Sequence, residues 1–407
     1  MKFILRAALV LLVCMGILCC FFSCTLHTEA ELLSKRYRKG KTTTATPEEK
    51  AMLAAYNFTL SLYSEIQNDG NQLFSPLSLL LALGMTANGA EGDTKSQMEQ
   101  VFGMTTEELN HFLLAVCSTS DQNTLKLAQS MWLSENNLKV EQGFWDINEE
   151  YYGASIYKAP FDHTTVKDIN RWVDYYTDGM IPSLLDQINP ATVLYLISAM
   201  AFDGKWETPY TKNQIREGMF VDNNGISHTV SMMHSTESVY LSHKGAVGTL
   251  KYYKGGRYAF AGILPPEGIA PSDFLASLSA EDFYTLLCSV NHGKADVKIP
   301  AFSLSLSQTF NEALSNMGMA SAFTNEANFS KIDKTSPLSI SEVKQNTFIG
   351  INAEGTKAAA ATSVGIAKTS LDPFGQVEIH LNSPFLFVIL DTQTGMPILM
   401  GTMNTIE

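Results

Sequence analysis

Apolar residues recur at helical spacing where the main body of the chain begins. They are Leu53, Tyr56, Leu60 and Tyr63. This spacing predicts a helix with those side chains in the core. Thr46 can cap the helix, Pro47 suits its first position, and Glu49 completes a capping box. Further helices are predicted after Phe74-Ser75-Pro76 and around residues 169–176.

Later in the chain, apolar residues alternate with polar ones, which predicts strands with one buried face. The alternating residues are Val297 and Ile299, Leu304 and Leu306, and Val377, Ile379 and Leu381. Residues Phe385 to Leu390 are continuously apolar, which is typical of a strand buried on both faces. The pattern contains no internal repeat and no change of composition after residue 47, so it predicts one mixed α and β domain.

Composition and charge restrict the classes of function. The chain has 407 residues, is 45% apolar and carries a net charge of −13, so a globular body with a large core is expected. Its acidity argues against a nucleic-acid partner, because phosphate binding needs clustered Lys and Arg. The basic run from Lys35 to Lys41 precedes a Thr- and Pro-rich stretch and is interpreted as a solvated linker, with membrane-surface contact as the alternative.

The first residues resemble an export signal. Lys2 and Arg6 precede an apolar run at residues 7–22, which is short for a membrane span of about 20 apolar residues. Ser23 and Cys24 resemble a bacterial lipobox, in which the cysteine thiol is acylated. Cleavage near Ser23 without lipidation, or an uncleaved anchor, is the alternative. The predicted parts are a signal peptide (1–23), a lipid-anchor linker (24–46) and a folded domain (47–407).

A lipidated chain would be exported to the bacterial cell envelope, at the outer membrane or the cell surface, with secretion as the alternative. Four of the six cysteines lie in or at the end of the leader, so the body retains Cys117 and Cys288. Each lies in an apolar stretch, which predicts two buried free thiols and excludes a disulfide framework.

The sequence contains no recognisable catalytic centre. G-x-S-x-G, G-x-x-x-x-G-K-[ST] and H-E-x-x-H motifs are missing, and there is no CxxC pair. The eight histidines are scattered singly. We therefore predict no catalytic residue, no metal site and no cofactor.

Residues 353–373 combine four consecutive alanines, which favour a helix, with Thr, Ser, Val and Gly residues, which oppose it. In an extended strand, one face would carry Thr356, Ala358, Ala360 and Thr362, and the other Lys357, Ala359, Ala361 and Ser363. A face of small residues could enter an existing sheet without overpacking the layer beneath it. A small-residue linker is the alternative.

Five segments resemble the serpin family in the expected order. They are Asn71 to Thr94, Ile169 to Leu185, Leu196 to Trp206, Lys298 to Phe323, and Asn382 to Gly401. The resemblance covers nearly all of residues 47–407. It implies an α+β fold with three β-sheets, about nine helices, an exposed reactive-centre loop and a five-stranded central sheet that can accept one more strand.

The same resemblance implies a serpin of the inhibitory type, which inhibits proteases and is not itself an enzyme. The target serine protease cleaves the loop and forms an acyl-enzyme, and the freed hinge inserts into the central sheet before water can release the protease. Cysteine proteases are possible further targets. The expected partner is thus a protease in a covalent complex with a monomeric inhibitor, and the membrane is reached only through the lipid anchor. A non-inhibitory serpin with a binding or structural role is the alternative.

The resemblance also assigns residues within the loop. The hinge consists of Glu354, Gly355, Thr356, Lys357, Ala358, Ala359, Ala360, Ala361 and Thr362. Counting the family's loop length from Gly355 places the scissile carbonyl near Thr369. Lys368 is the only basic residue between Ala358 and Phe374, so we expect cleavage between Lys368 and Thr369 by trypsin-like proteases. Cleavage between Thr369 and Ser370, which would suit an elastase-like enzyme, is the alternative.

Further residues correspond to the family's shutter and breach, two regions that control opening of the central sheet. They are Ser75, Ser78, Ser198, Trp206 and Gln345. Ser198 replaces the usual Asn and Gln345 the usual His. Because Gln both donates and accepts, a rewired hydrogen bond to Ser75 or Ser78 is expected, with a loosened shutter as the alternative. Two other departures are Lys357, where a hinge Glu is frequent, and Ser383, where a basic residue usually precedes Pro384.

Overall fold

The structure is a computed structural model. It describes residues 28–33, 42–118, 120–121, 123–135, 139–188, 192, 194–335, 337–356 and 376–406. The predicted signal peptide, Cys24, the basic run, the hinge from Lys357 through Thr362, and Lys368, Thr369 and Ser370 lie outside the described residues. Within them, nine α-helices and three hydrogen-bonded sheets confirm the predicted α+β architecture.

The helices are α1 (Glu49–Ile66), α2 (Pro76–Ala87), α3 (Gly92–Phe102), α4 (Thr106–Ser118), α5 (Gln142–Tyr152), α6 (His163–Tyr176), α7 (Pro271–Ala276), α8 (Ala280–Cys288) and α9 (Asn311–Leu314). The three predicted helices are confirmed as α1, α2 and α6. No helix in the described part of the chain is long and apolar enough to cross a membrane.

The predicted start of α1 is wrong by two residues. The helix begins at Glu49, and the preceding Glu48 is extended, with φ −68° and ψ 140°, and makes no side-chain capping bond. Because the chain is still extended at Glu48, Thr46 and Pro47 lie outside the helix. The buried face also differs, since Leu53 and Leu60 are only half-buried, whereas Tyr56 and Tyr63 are buried as expected.

The strands are β1 (Glu31–Leu32), β2 (Gln72–Phe74), β3 (Leu125–Ser134), β4 (Ser155–Ala159), β5 (Leu194–Phe202), β6 (Gly204–Lys205), β7 (Ile215–Val221), β8 (Ser227–His243), β9 (Ala246–Tyr252), β10 (Tyr258–Leu264), β11 (Val290–Pro300), β12 (Phe302–Thr309), β13 (Lys344–Ile351), β14 (Gly355–Thr356), β15 (Val377–His380), β16 (Phe385–Asp391) and β17 (Pro397–Met403). The four predicted strand regions are confirmed as β11, β12, β15 and β16, and every residue of β16 is buried.

The strands form three sheets. Their orders are β1-β4-β3-β5, then β15-β11-β8-β9-β10-β16-β17-β2 with β7 beside β8, and finally β12-β13-β14-β6. The largest sheet forms the main core with α1 and α8, which pack against each other. The two four-stranded sheets lie on either side of the candidate site.

Helix α2 supports the candidate site from below. Ser75 caps it, with its Oγ accepting the Ser78 N–H at 3.1 Å, and Pro76 takes the first helical position. Nearly all of its residues are buried, because it packs against β5 on one side and β17 on the other. Local capping chemistry therefore fixes the start of this helix where the two sheets approach each other.

Candidate functional site

The central sheet is open along its middle. Strands β4, β3 and β5 form one half and β13 and β12 the other, and no described residue of β5 pairs with β13. A cavity of about 390 Å³ lies between the two strands. The inner faces of β5 and β13 line it, and α2 contributes Ser78, Leu79 and Ala82. The five long strands that the resemblance implied are therefore present, divided three and two.

The gap closes at one end through β14. Thr356 pairs with Ile351 of β13 and with Gly204 of β6, both in antiparallel register. The Thr356 side chain is 2% exposed, and its hydroxyl hydrogen-bonds the Tyr253 hydroxyl. Two of the predicted hinge residues thus already lie as a strand between the half-sheets, at the top of the gap.

Gly355 approaches its neighbour too closely for any side chain. A Cβ atom built on it would overlap the carbonyl oxygen of Gly204, and its φ is +157°. Since a backbone atom cannot move aside as a flexible side chain can, glycine is required here.

Trp206 connects the two sides of the gap at this end. Its side chain is buried, and its Nε1–H donates to the Asn352 carbonyl at 2.8 Å while its backbone N–H donates to Glu354 O at 2.8 Å. The indole stacks on Tyr253 with the ring centres 4.5 Å apart. Burial raises the pKa of Tyr253, so its hydroxyl remains a neutral hydrogen-bonding group beside Thr356.

The predicted shutter residues meet at the start of α2. The Gln345 Oε1 accepts the Ser75 N–H at 2.7 Å, and its Nε2 donates to the Ser75 carbonyl at 3.2 Å. On the other side of the gap, the Ser78 hydroxyl donates to the Ser198 Oγ at 3.1 Å. Each half-sheet is therefore bonded to the same helix end, through Gln345 on β13 and Ser198 on β5. The structure places Gln345 on the backbone of Ser75, not on its hydroxyl.

Sequence reasoning missed Tyr253, Lys251 and Asn352. Lys251 is 5% exposed, lies 5.8 Å from the Trp206 ring centre and pairs with Glu237 at 3.0 Å. No sequence signal connects Tyr253 or Lys251 with the site, because their contacts join strands that are distant in sequence. Asn352 did leave a signal, since its Oδ1 accepts the Glu354 N–H at 2.9 Å in the manner of an Asx turn.

Helix α6 and an N-terminal segment cover the three-stranded half. The Asn170 Oδ1 accepts the N–H groups of Leu184 and Leu185, each at 2.9 Å, which fixes the chain after α6. Part of the predicted linker is also docked: β1 pairs with β4, and the Ala30 N–H donates to the buried Asp168 carboxylate at 2.8 Å. This half of the sheet therefore carries an extra edge strand.

The described residues offer little else as a reactive centre. No group of three or more His, Cys, Asp or Glu side chains in them could hold a metal ion. Cys117 and Cys288 are free, as predicted, but each residue is half-buried where burial was expected. Burial nevertheless raises the pKa of the Cys117 thiol to about 12, which disfavours the reactive thiolate.

Comparison with known proteins agrees with this geometry. A family model described as "Serpin (serine protease inhibitor)" matches residues 53–406. An uncharacterized serpin-like protein of Thermococcus kodakarensis is 29% identical over 88% of this chain and 86% of its own length. Leukocyte elastase inhibitor A of Rattus norvegicus is 28% identical over 84% of this chain and 96% of its own length.

Solved structures are similar over most of the chain. The native state of the thermophilic serpin tengpin has a TM-score of 0.85 at 36% identity and covers 93% of this chain and 100% of its own. The latent state of tengpin has a TM-score of 0.79 at 37% identity and covers 90% of this chain and 100% of its own.

Proposed function

The chain belongs to the serpin family, and on that premise we propose that it inhibits serine proteases as an irreversible suicide substrate. Serpins are generally protease inhibitors and not enzymes. The observation that carries the proposal is β14, which lies as the first two residues of an additional strand above an unfilled gap.

The proposed reaction begins as ordinary proteolysis. The serine hydroxyl of the protease adds to the scissile carbonyl carbon, the peptide C–N bond breaks, and the amine of the following residue departs with the proton. An ester then joins the protease to the N-terminal part of the loop. We propose Lys368–Thr369 as the bond cleaved, with Thr369–Ser370 as the alternative.

Insertion would follow from the register already present. Thr356 lies opposite Ile351 of β13. An antiparallel strand continued from it would place Ala358 opposite Ile349, Ala360 opposite Thr347 and Thr362 opposite Gln345. Alternate small side chains would then face the cavity above α2, and backbone hydrogen bonds would form to both half-sheets. The attached protease would be carried along the sheet, away from the position in which its active site is intact.

Mixing the chain with trypsin and, separately, with elastase tests the proposal. A complex that survives a denaturing gel should form, and sequencing the released C-terminal peptide should show Thr369 at its start with trypsin. A protease whose catalytic serine is replaced by alanine provides the control and should form no such complex. If no serine protease gives a stable covalent complex and the loop is simply cleaved, the inhibitor proposal fails and a non-inhibitory role replaces it.

We further propose that the chain is a bacterial lipoprotein, exported and anchored through Cys24. An anchored inhibitor would protect the envelope against proteases from a host or a competing bacterium. Cells fed a labelled fatty acid should label this chain, globomycin should block its maturation, and Cys24→Ala should abolish the label. Labelling that persists in Cys24→Ala would contradict the anchor without affecting the inhibitor proposal.

A further inference from the structure

The two ends of the central sheet differ, because the reactive loop leaves from only one of them. Strand β5 runs from Leu194 to Phe202. The hinge residue Thr356 pairs with Gly204, two residues beyond Phe202. We call this end of the sheet the loop pole and the end at Leu194 the opposite pole. The poles are about 33 Å apart, because β3 has ten residues.

The N-terminal segment docks at the opposite pole. Strand β3 is antiparallel to β5, so its last residue, Ser134, lies at that pole. Ala159 ends β4 beside Ser134, and Glu31 of β1 lies opposite the preceding Lys158. Because β1 is antiparallel to β4, the chain traced back from β1 to Thr28 leads away from the loop pole.

A small number of contacts hold residues 28–33, which we call the strap. The Ala30 N–H donates to the buried Asp168 carboxylate at 2.8 Å, and the Leu33 N–H donates to the Ile156 carbonyl at 2.8 Å. Ala30 itself is buried, whereas both residues of β1 are exposed. The strap is therefore fixed in one place, but few bonds must break to release it.

The proposed lipid anchor is close to this pole along the chain. Cys24 lies outside the described residues, and the four peptide links between it and Thr28 span at most about 14 Å. A lipid surface that holds Cys24 therefore lies within that distance of Thr28 while the strap is docked. Because the chain leads away from the loop pole, the reactive loop would face the aqueous side.

The proposed insertion of the cleaved loop ends at the same pole. Ile351, the last residue of β13, pairs with Thr356, so β13 begins at the opposite pole. Twelve residues of extended strand would lead from Thr356 to Lys368, whereas β13 has only eight residues. A protease attached at Lys368 would therefore be carried past the start of β13, to the side of the molecule that the lipid surface occupies.

The space beside the lipid is too small for a protease. A protease domain of about 200 residues has a diameter of roughly 40 Å, which exceeds the distance of about 14 Å that the docked strap allows. Residues 24–42 together span up to roughly 60 Å once the strap is released. Release of the strap therefore supplies the room that trapping needs.

We propose that the strap orients the anchored inhibitor and is released by trapping. While docked on β4, it keeps the lipid surface at the opposite pole and presents the loop to soluble proteases on the aqueous side. Arrival of the trapped protease then displaces it. The inference rests on the proposed lipid anchor and inhibitory function. It adds the class of protease that is captured and a movement of the N-terminal segment.

The test places the lipidated chain in vesicles whose headgroups carry an energy-transfer acceptor with a Förster distance shorter than the length of β3. A fluorophore is attached through Glu135→Cys, exposed at the opposite pole, or through Lys254→Cys, exposed beside Lys205 at the loop pole. Native thiols compete little at neutral pH, since burial raises the pKa of Cys117 and Cys288. Energy transfer from position 135 should be several-fold greater than from position 254.

Addition of soluble trypsin tests the release. Energy transfer from position 135 should fall several-fold as the covalent complex forms, because the trapped protease separates this pole from the lipid. Trypsin whose catalytic serine is replaced by alanine is the control. It binds the loop without forming the ester, so it should leave the energy transfer unchanged.

Proline substitutions in the strap provide a second test of orientation. Ala30→Pro combined with Leu33→Pro removes both N–H donors that hold the strap. Energy transfer from position 135 should then be low before trypsin is added. Thr44→Pro, at an exposed position after the strap, is the matched control and should behave as the wild type. Both variants should still trap trypsin in detergent solution, which shows that they are folded.

Equal energy transfer from the two labelled positions before trypsin is added would overturn the proposed orientation. Unchanged transfer from position 135 in the covalent complex would overturn the proposed release. Failure of the lipid anchor is distinguishable, since the chain would then not float with the vesicles. Failure of the inhibitory function is also distinguishable, since no covalent complex with trypsin would form.

Discussion

Gly355 is the residue at which the gap in the central sheet closes, and the backbone of Gly204 leaves no space there for a Cβ atom. Gly355→Ala should push β14 away from β6 and slow loop insertion, so that the target protease completes cleavage more often than it is trapped. The ratio of cleaved chain to covalent complex on a denaturing gel measures this and should rise several-fold.

Gly143→Ala is the control for that substitution, because no heavy atom lies within 4 Å of the Cβ it would introduce. It should leave the ratio of cleavage to trapping unchanged. An unchanged ratio in Gly355→Ala would mean that the hinge enters the sheet by a route other than the one β14 marks.

Gln345 is a second residue with a measurable role, since it accepts from the Ser75 N–H and the Thr347 hydroxyl and donates to the Ser75 carbonyl. Gln345→Met conserves the length of the side chain but leaves the buried Ser75 N–H without its acceptor. The free energy of unfolding should fall by about 1–3 kcal/mol, measured by urea denaturation. Gln100→Met, at an exposed helical glutamine, should change it by less than about 0.5 kcal/mol.

At the scale of elements, the sequence predicted features that depend on neighbouring residues better than features that depend on long-range contacts. Ser75 and Pro76 correctly marked the start of α2, because capping acts over three residues. The similar pattern at Thr46 and Pro47 failed, because the chain remains extended through Glu48. Docking of β1 on β4 was not predictable from six residues without a strong period, since its support comes from Asp168, more than a hundred residues away.

The same contrast between local and long-range contacts applies to the candidate site. Resemblance to a family brought Gln345 and Ser75 together across 270 residues of sequence, which no periodicity could do. It did not indicate which Ser75 group Gln345 would use, because an amide can reach a hydroxyl or a peptide group equally well. The opening between β5 and β13 depends on pairing over whole strands, which residue identities alone do not determine.

Helix α8 gives a prediction about pH. Ser279 is the N-cap of this helix, and Asp282 completes the capping box. The Asp282 carboxylate also lies 2.6 Å from Lys244 Nζ and 3.0 Å from His243 Nε2. These hydrogen bonds, chiefly that of Lys244, hold the pKa of Asp282 below its ordinary value. A lowered folded-state pKa gives stability that is present above the ordinary Asp range, near pH 4, and lost as pH falls through the lowered pKa.

Asp282→Asn should therefore lower the thermal midpoint at pH 7 and reduce its decline between pH 5 and pH 2. Thermal unfolding followed by circular dichroism across this range measures both effects. Asp273→Asn, at an exposed position in the first turn of α7, should reproduce the wild-type profile. A wild-type profile in Asp282→Asn would show that the ion pairs contribute nothing measurable.

At the scale of the whole molecule, the gap separates two half-sheets that share one supporting helix. Ser198 and Gln345 are each bonded to the N-terminal turn of α2 and not to each other. Below β14, opening the gap further therefore breaks no strand pairing between the described residues of β5 and β13. A strand that enters the gap can gain hydrogen bonds on both sides, and this gain is the source of energy in the proposed mechanism.

That energy should appear as heat stability after cleavage. About ten new backbone hydrogen bonds at roughly 1 kcal/mol each would raise the thermal midpoint of a folded domain of this size by about 10–15 °C. Ala360→Arg and Ala359→Arg distinguish insertion from cleavage. A strand inserted in the register of Thr356 and Ile351 would point residue 360 toward α2 and residue 359 toward the opposite face. The cleaved Ala359→Arg chain should gain nearly the full increase, whereas Ala360→Arg should gain little, because a buried arginine would have no partner above α2. Equal increases in both variants would contradict the inserted register and would require another path for the freed loop.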